Sequence, residues 1–143
     1  MILDSNTVSI DDQAITSSAV TGSAVPLNMF WKPGRQDPIC VMVKGSGFLG
    51  GTSITFKVQE ASTQSGDYSD VPGSSVTVLL ADLQKGGNLA FRFLPTKTAK
   101  QWIKIVATPT GTFSAGKLTA AVVREDDLPY EAGMYINKGA VVG

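Results

Sequence analysis

The chain has 143 residues, 43% of them hydrophobic and 17% charged, with 15 Gly and 7 Pro; that suits one folded, turn-rich domain and excludes an extended disordered chain. Twelve Lys+Arg balance twelve Asp+Glu, so the long-range positive field that gathers nucleic acid or an anionic membrane is missing. Histidine is absent, which removes triad hydrolases and His-ligated zinc sites, and the single Cys40 excludes an internal disulfide. The amino terminus, Met1-Ile2-Leu3-Asp4, has neither a basic n-region nor an apolar h-region, so no secretory signal is expected and the mature chain is expected to begin here. Residues 1–12 carry Asp4, Asp11 and Asp12 with few apolar groups and read as an extended N-terminal arm. Weak strand candidates follow at residues 13–21 and 24–29.

Residues 39–43 are apolar throughout, which predicts a central strand covered on both faces. This run and the one at residues 78–81 are the longest apolar stretches, far short of the roughly 20 residues of a membrane helix, and a soluble protein is expected. In residues 54–59 the apolar side chains Ile54, Phe56 and Val58 alternate with Thr55, Lys57 and Gln59, the period of a half-buried strand. Residues 76–80, 89–93, 103–107 and, with less contrast, 118–122 read the same way, and residues 79–85 have room for one short helical turn. Pro33-Gly34, Gly50-Gly51, Pro72-Gly73, Gly86-Gly87-Asn88 and Gly111 punctuate these runs as turns. About eight short strands without a convincing helical period predict an all-β domain, an antiparallel jelly roll or β-sandwich, over residues 13–127. Residues 128–143, broken by Pro129, Gly133 and Gly139, read as a C-terminal arm. The two arms hold Ile2, Leu3, Tyr130, Met134, Tyr135 and Ile136, more apolar surface than a solvated tail needs; they pack either on a neighbour or on their own sheet.

Candidate chemistry is sparse. Gly45-Ser46-Gly47-Phe48-Leu49-Gly50 has the letters of a phosphate-binding G-x-G-x-x-G loop, but a strand pattern follows where the helix N-terminus should be, so a Gly-rich hairpin connection is expected. Asp126 and Asp127, with Glu125 and Glu131 near, form the densest acidic cluster; adjacent residues of a strand end point apart, which favours a solvated edge over a catalytic pair or a calcium site. Cys40 sits in the apolar run and reads as a buried structural thiol. From Leu83 to Arg124 there are seven bases and no acid, while the acids gather towards the ends. That layout either orients the domain on a partner or is neutralised when the acidic ends fold back. Trp31, Trp102 and Tyr130 either cover core edges and interfaces or form a sugar-stacking platform.

Met1-Ile2-Leu3-Asp4, Gln13-Ala14-Ile15-Thr16, and above all Thr112-Phe113-Ser114-Ala115-Gly116-Lys117-Leu118-Thr119-Ala120 followed by Leu128-Pro129-Tyr130, resemble the capsid cement proteins of short-tailed bacteriophages, in order and over nearly the whole chain. The resemblance implies a jelly-roll domain without catalysis or cofactor on the outer surface of the phage head, present in the host cytoplasm during assembly. Its implied partners are the major capsid protein and itself, as a homodimer or a trimer, with no nucleic acid and no membrane. It places the terminal segments, residues 1–12 and 128–143, at interfaces; no family motif fixes single contacts, and Ile2, Leu3, Asp4, Trp31, Tyr130, Met134, Tyr135 and Ile136 are the contact residues expected from this sequence itself. Two readings from other classes stand beside it: a carbohydrate-binding β-sandwich on the virion surface, and a carboxylate hydrolase built on Glu125, Asp126 and Asp127.

Overall fold

Where apolar and polar residues alternate, the chain forms strands, and the strands stack into two antiparallel sheets. The structure is a computed structural model, and it describes residues 7–27, 40–90, 93–95 and 97–123. In chain order the elements are β1 (Val8–Ala14), β2 (Val20–Thr21), β3 (Val25–Pro26), β4 (Cys40–Gly50), β5 (Ser53–Ala61), β6 (Ser69–Asp70), β7 (Val76–Leu79), α1 (Leu80–Leu83), β8 (Trp102–Thr110) and β9 (Phe113–Val123). β5 is the clearest product of its pattern: Ile54, Phe56 and Val58 are fully buried, while Thr55, Lys57 and Gln59 face the half-exposed side. The helical turn expected near residues 79–85 is α1.

One sheet has the order β1-β9-β4. In the other, β8 and β5 lie at the centre, with β2 and β3 along the free side of β8 and β6 and β7 along the free side of β5. Strands thus cross between sheets as the chain proceeds, the wrapped connectivity of a jelly roll. The two inner faces enclose one core that includes Ile10, Val41, Val43, Phe56, Ile105 and Leu118.

Four sequence expectations are corrected. The arm read over residues 1–12 is strand from Val8 onward; β-bulges between Val8 and Ile10 and between Ile10 and Gln13, with Asp12 at φ 44°, break the alternation that would have revealed it, and the candidate at 13–21 therefore straddles a strand end. The apolar run at 39–43 opens β4, an outer strand of its sheet and not a central one, although both of its faces are buried: Val41 and Val43 lie in the main core, Cys40 and Met42 in a second cluster. Of the run read over residues 89–93, Leu89, Ala90 and Phe93 are described, and they form no strand. Ala90 sits at φ 58°, the side chain of Asn88 accepts the Val43 N–H (2.7 Å), and among the described residues the pairing with β4 is the N–H of Leu89 on the Val43 carbonyl and a single Cys40–Phe93 bridge. These residues still lie beside β4, where the jelly-roll order places a partner for it.

The fourth correction concerns the Gly-rich stretch. Residues 45–50 belong to β4 itself, and the reversal into β5 comes at Gly50–Thr52. After a bulge, the Phe48 side chain folds back over its own strand and meets Phe113 edge-on, with ring centroids 6.2 Å apart at 75°. A Cβ at Gly45 would run into the Phe48 ring and lie 2.8 Å or less from backbone, at 2.7 Å from the Lys117 carbonyl oxygen; one at Gly116 would lie 2.6 Å from the same ring. Gly45 and Gly116 form the socket for Phe48, while Gly47 and Gly50 take positive φ (70° and 73°), so each glycine of the motif has a role without a phosphate.

At the opposite edge Ser9 joins the two sheets. The chain leaves β8 between β2 and β3, and in that gap the Ser9 hydroxyl accepts the Ile105 N–H (3.1 Å) and donates to the Ser23 carbonyl (3.0 Å). Ser23 N–H reaches back to the Ser9 carbonyl (2.6 Å) and Gly22 N–H to the Ile105 carbonyl (2.9 Å).

Two stability outcomes follow. Gly45→Ala displaces the Phe48 ring and presses on backbone, and is expected to cost about 1–3 kcal/mol, read as a lower midpoint in urea unfolding. Ser9→Ala orphans the buried Ile105 N–H and is expected to cost about 1–3 kcal/mol; unchanged thermal and urea midpoints would show that the hydroxyl does not join the sheets.

Candidate functional site

Two surfaces stand out, one apolar and one polar. On the outward side of the β1-β9-β4 sheet, cross-strand pairing puts Val8, Ala121 and Met42 in one row and Val123 beside Cys40 in the next. These residues form the second apolar cluster, and Cys40, Met42 and Ala121 are each 5% exposed or less although they face away from the main core. Cys40 is the buried thiol the sequence suggested. Farther along the same side the row turns polar, with the Asp12 carboxylate 3.6 Å from the Lys117 ammonium. That exposed pair is the form of neutralisation expected if acidic residues near the chain ends fold back on basic strands, and it contributes little to stability.

The apolar corner has a topological property. Thr7, Cys40 and Val123, the described residues at the end of segment 1–6, the end of segment 28–39 and the start of segment 124–143, lie together: the Thr7 carbonyl accepts the Val122 N–H (2.9 Å), and Cys40 pairs with Val123; Leu27, which precedes segment 28–39, follows β3 in the other sheet, its N–H on the Gln101 carbonyl (2.7 Å). All eight residues expected at interfaces, Ile2, Leu3, Asp4, Trp31, Tyr130, Met134, Tyr135 and Ile136, lie outside the described residues, as do Glu125, Asp126, Asp127 and Glu131.

The second surface is a groove of about 710 Å³ along the side of the sandwich, between the outer edge of β1 and the edge formed by β2 and β3, and reaching the loop after β5. Trp102 and Pro26 are direct cross-strand partners. Their neighbours Ile103 and Val25 point into the core with 0% exposure, so strand alternation turns Trp102 and Pro26 outward, where both are half-exposed. Glu60 holds the approach to Trp102: its buried carboxylate accepts the N–H groups of Ala99 (2.8 Å) and Lys100 (3.2 Å).

Gln64 enters the groove from a loop that is tied down on several sides. The Tyr68 hydroxyl donates to the Gln64 carbonyl (2.8 Å), and the Lys104 ammonium lies 4.2 Å from the centre of the Tyr68 ring. Gln59 and Lys57 donate to the Asp70 carboxylate at 2.9 and 3.2 Å, and these bonds hold its pKa below the ordinary carboxylate value. Trp102 was the one groove residue for which the sequence offered a ligand-binding role. Asp11 and Gln13 share β1, whereas Pro26 comes from β3 and Gln64 from the loop after β5, so only the fold brings the three groups together.

Among the described residues no group of three or more Cys, Asp and Glu side chains converges in a way that would hold a metal ion, and no helix is long and apolar enough to cross a membrane. No curated protein matches the chain. The Bbp16 family model matches residues 9–122, from β1 at Ser9 to β9 at Val122 and so across both sheets, and the chain belongs to the Bbp16 family.

Proposed function

We propose that this protein is a capsid cement protein, a structural component of a bacteriophage head that sits on the outer surface, pairs with itself and clamps adjacent major capsid subunits. The observation that carries this reading is the corner where Thr7, Cys40 and Val123, three of the four described residues bounding segments 1–6, 28–39 and 124–143, meet beside the apolar row of Val8, Ala121 and Met42. The resemblance of the sequence to cement proteins supports it independently.

A clamp needs a body that keeps its shape and contact segments that leave it in a defined place. The two-sheet body supplies the first through one continuous core. Adjacent strand ends supply the second, because segments leaving neighbouring strands start within reach of the same seam between shell subunits. Each contact of this kind can be modest, since repetition over a symmetric lattice multiplies it. A net charge of zero suits an outer-shell protein, which has to avoid capturing free DNA during assembly.

The decisive measurement adds purified full-length protein to heads that lack it. Retention in a fixed ratio to the major capsid protein, together with a higher temperature of head disruption, is the expected result; heads that neither bind the protein nor gain stability would overturn the proposal. Truncation has a defined limit, because β1 starts at Val8 and removing residues 1–12 would strip an edge strand from its sheet. Removing residues 1–6 alone is expected to leave the urea midpoint of the domain in place and to weaken head retention.

A further inference from the structure

The groove beside Trp102 has a chemistry that clamping does not explain. Of its described lining residues only Asp11 is ionisable, and none is Lys or Arg. An anionic ligand would find no countercharge there, whereas a neutral one would lose nothing. Among the described residues the side chains of Asp11, Gln13, Thr21 and Gln64 make no hydrogen bond, while Gln59, Gln84 and Asn88 commit their amides to Asp70, the Phe48 carbonyl and β4. The groove therefore presents two amides that both donate and accept, a carboxylate that accepts, and a hydroxyl that does either. Beside them lies the outward-facing pair of Trp102 and Pro26, a flat apolar surface at one end of a polar trough.

An added peptide strand is a poor match for this site. The β1 side of the groove carries Asp11 and Asp12, is bulged twice and has Asp12 at φ 44°; the β3 side carries Pro26, which has no N–H to offer. Each of these features blocks edge-to-edge pairing. What fits is a ligand with an apolar ring face, many hydroxyls and no charge.

We infer that this groove binds a neutral oligosaccharide, with Trp102 and Pro26 supporting the face of one pyranose ring and Asp11, Gln13, Thr21 and Gln64 meeting hydroxyls along the trough. The C–H groups on one face of a pyranose lie well against the electron-rich face of an indole, and the ring hydroxyls point outward to the flanking amides and carboxylate. Asp11 accepts from a hydroxyl pair without needing a charge on the sugar.

The test uses the full chain and calorimetric titration with maltohexaose and chitohexaose, and with sialyllactose as an anionic control. Binding of a neutral hexamer, with sialyllactose excluded, is the expected result. The polar side chains of Gln13 and Gln64 are outside the core, so Gln13→Ala and Gln64→Ala are each expected to weaken binding by about fivefold or more, the equivalent of one lost hydrogen bond, with the thermal midpoint unchanged. Trp102→Phe retains a smaller ring and is expected to weaken binding while keeping the strand. The inference is overturned if neither hexamer binds, if only sialyllactose does, or if binding survives both glutamine variants undiminished. Because the free protein is measured, these outcomes are independent of whether it binds phage heads.

Discussion

Among the described residues, the hydroxyl of Ser9 is where a side chain of one sheet hydrogen-bonds the backbone of the other, and much of the architecture is arranged around it. β8 needs partners along both sides, yet β2 and β3 cover its free side only in two short pieces. Between them the Ile105 N–H would be buried without an acceptor, a cost comparable to a lost hydrogen bond. Ser9 comes from the other sheet and supplies the acceptor, and the short Ser23–Ser9 and Gly22–Ile105 bonds close the gap around it. Gly22 is part of the same device, because a Cβ there would collide with the Ser9 hydroxyl. The groove beside Trp102 is the outer consequence: where the chain leaves β8 to meet Ser9, the side of the sandwich opens.

The opposite end is closed chiefly by aromatic rings. Phe48 and Phe113 cover glycines that would otherwise leave backbone exposed, and Gln84 ties α1 to the same place by donating to the Phe48 carbonyl (2.9 Å). One end of the body is thus sealed by packing, while Thr7, Cys40 and Val123 gather at a different corner. That asymmetry divides the domain into a closed end and an end where three strand termini meet.

The sheets were legible in the sequence wherever one face is buried and the other wet, as in β5, where period-two alternation runs unbroken from Ile54 to Gln59. It was lost where bulges shift the faces, as in β1, and where alternation was present but a local conformation vetoed it: with Ala90 at φ 58°, Leu89 and Ala90 do not continue as a strand beside β4. The glycines at 45–50 were visible, but not their purpose, since that depends on Phe48 bending over its own strand and on Gly116 from β9. The apolar segments near the chain ends could be read as sticky, whereas the apolar row they adjoin could not, because Val8, Met42 and Ala121 are neighbours only through register. The groove was the least legible, for its polar residues are individually ordinary and acquire meaning only in each other's company.

The corner shared by Thr7, Cys40 and Val123 has a mechanical consequence. Val8 and Cys40 begin β1 and β4, and Val123 ends the antiparallel β9 between them, so tension applied to these three ends in one direction draws the three strands as a unit, with no tendency to slide one past another. Tension that separates Cys40 from Val123 acts differently: it opens the β4–β9 ladder from its end, rung by rung, the weakest way to load a sheet. A load shared by the three ends therefore leaves the ladder intact, and a tear that spreads them would start at the Cys40–Val123 pair.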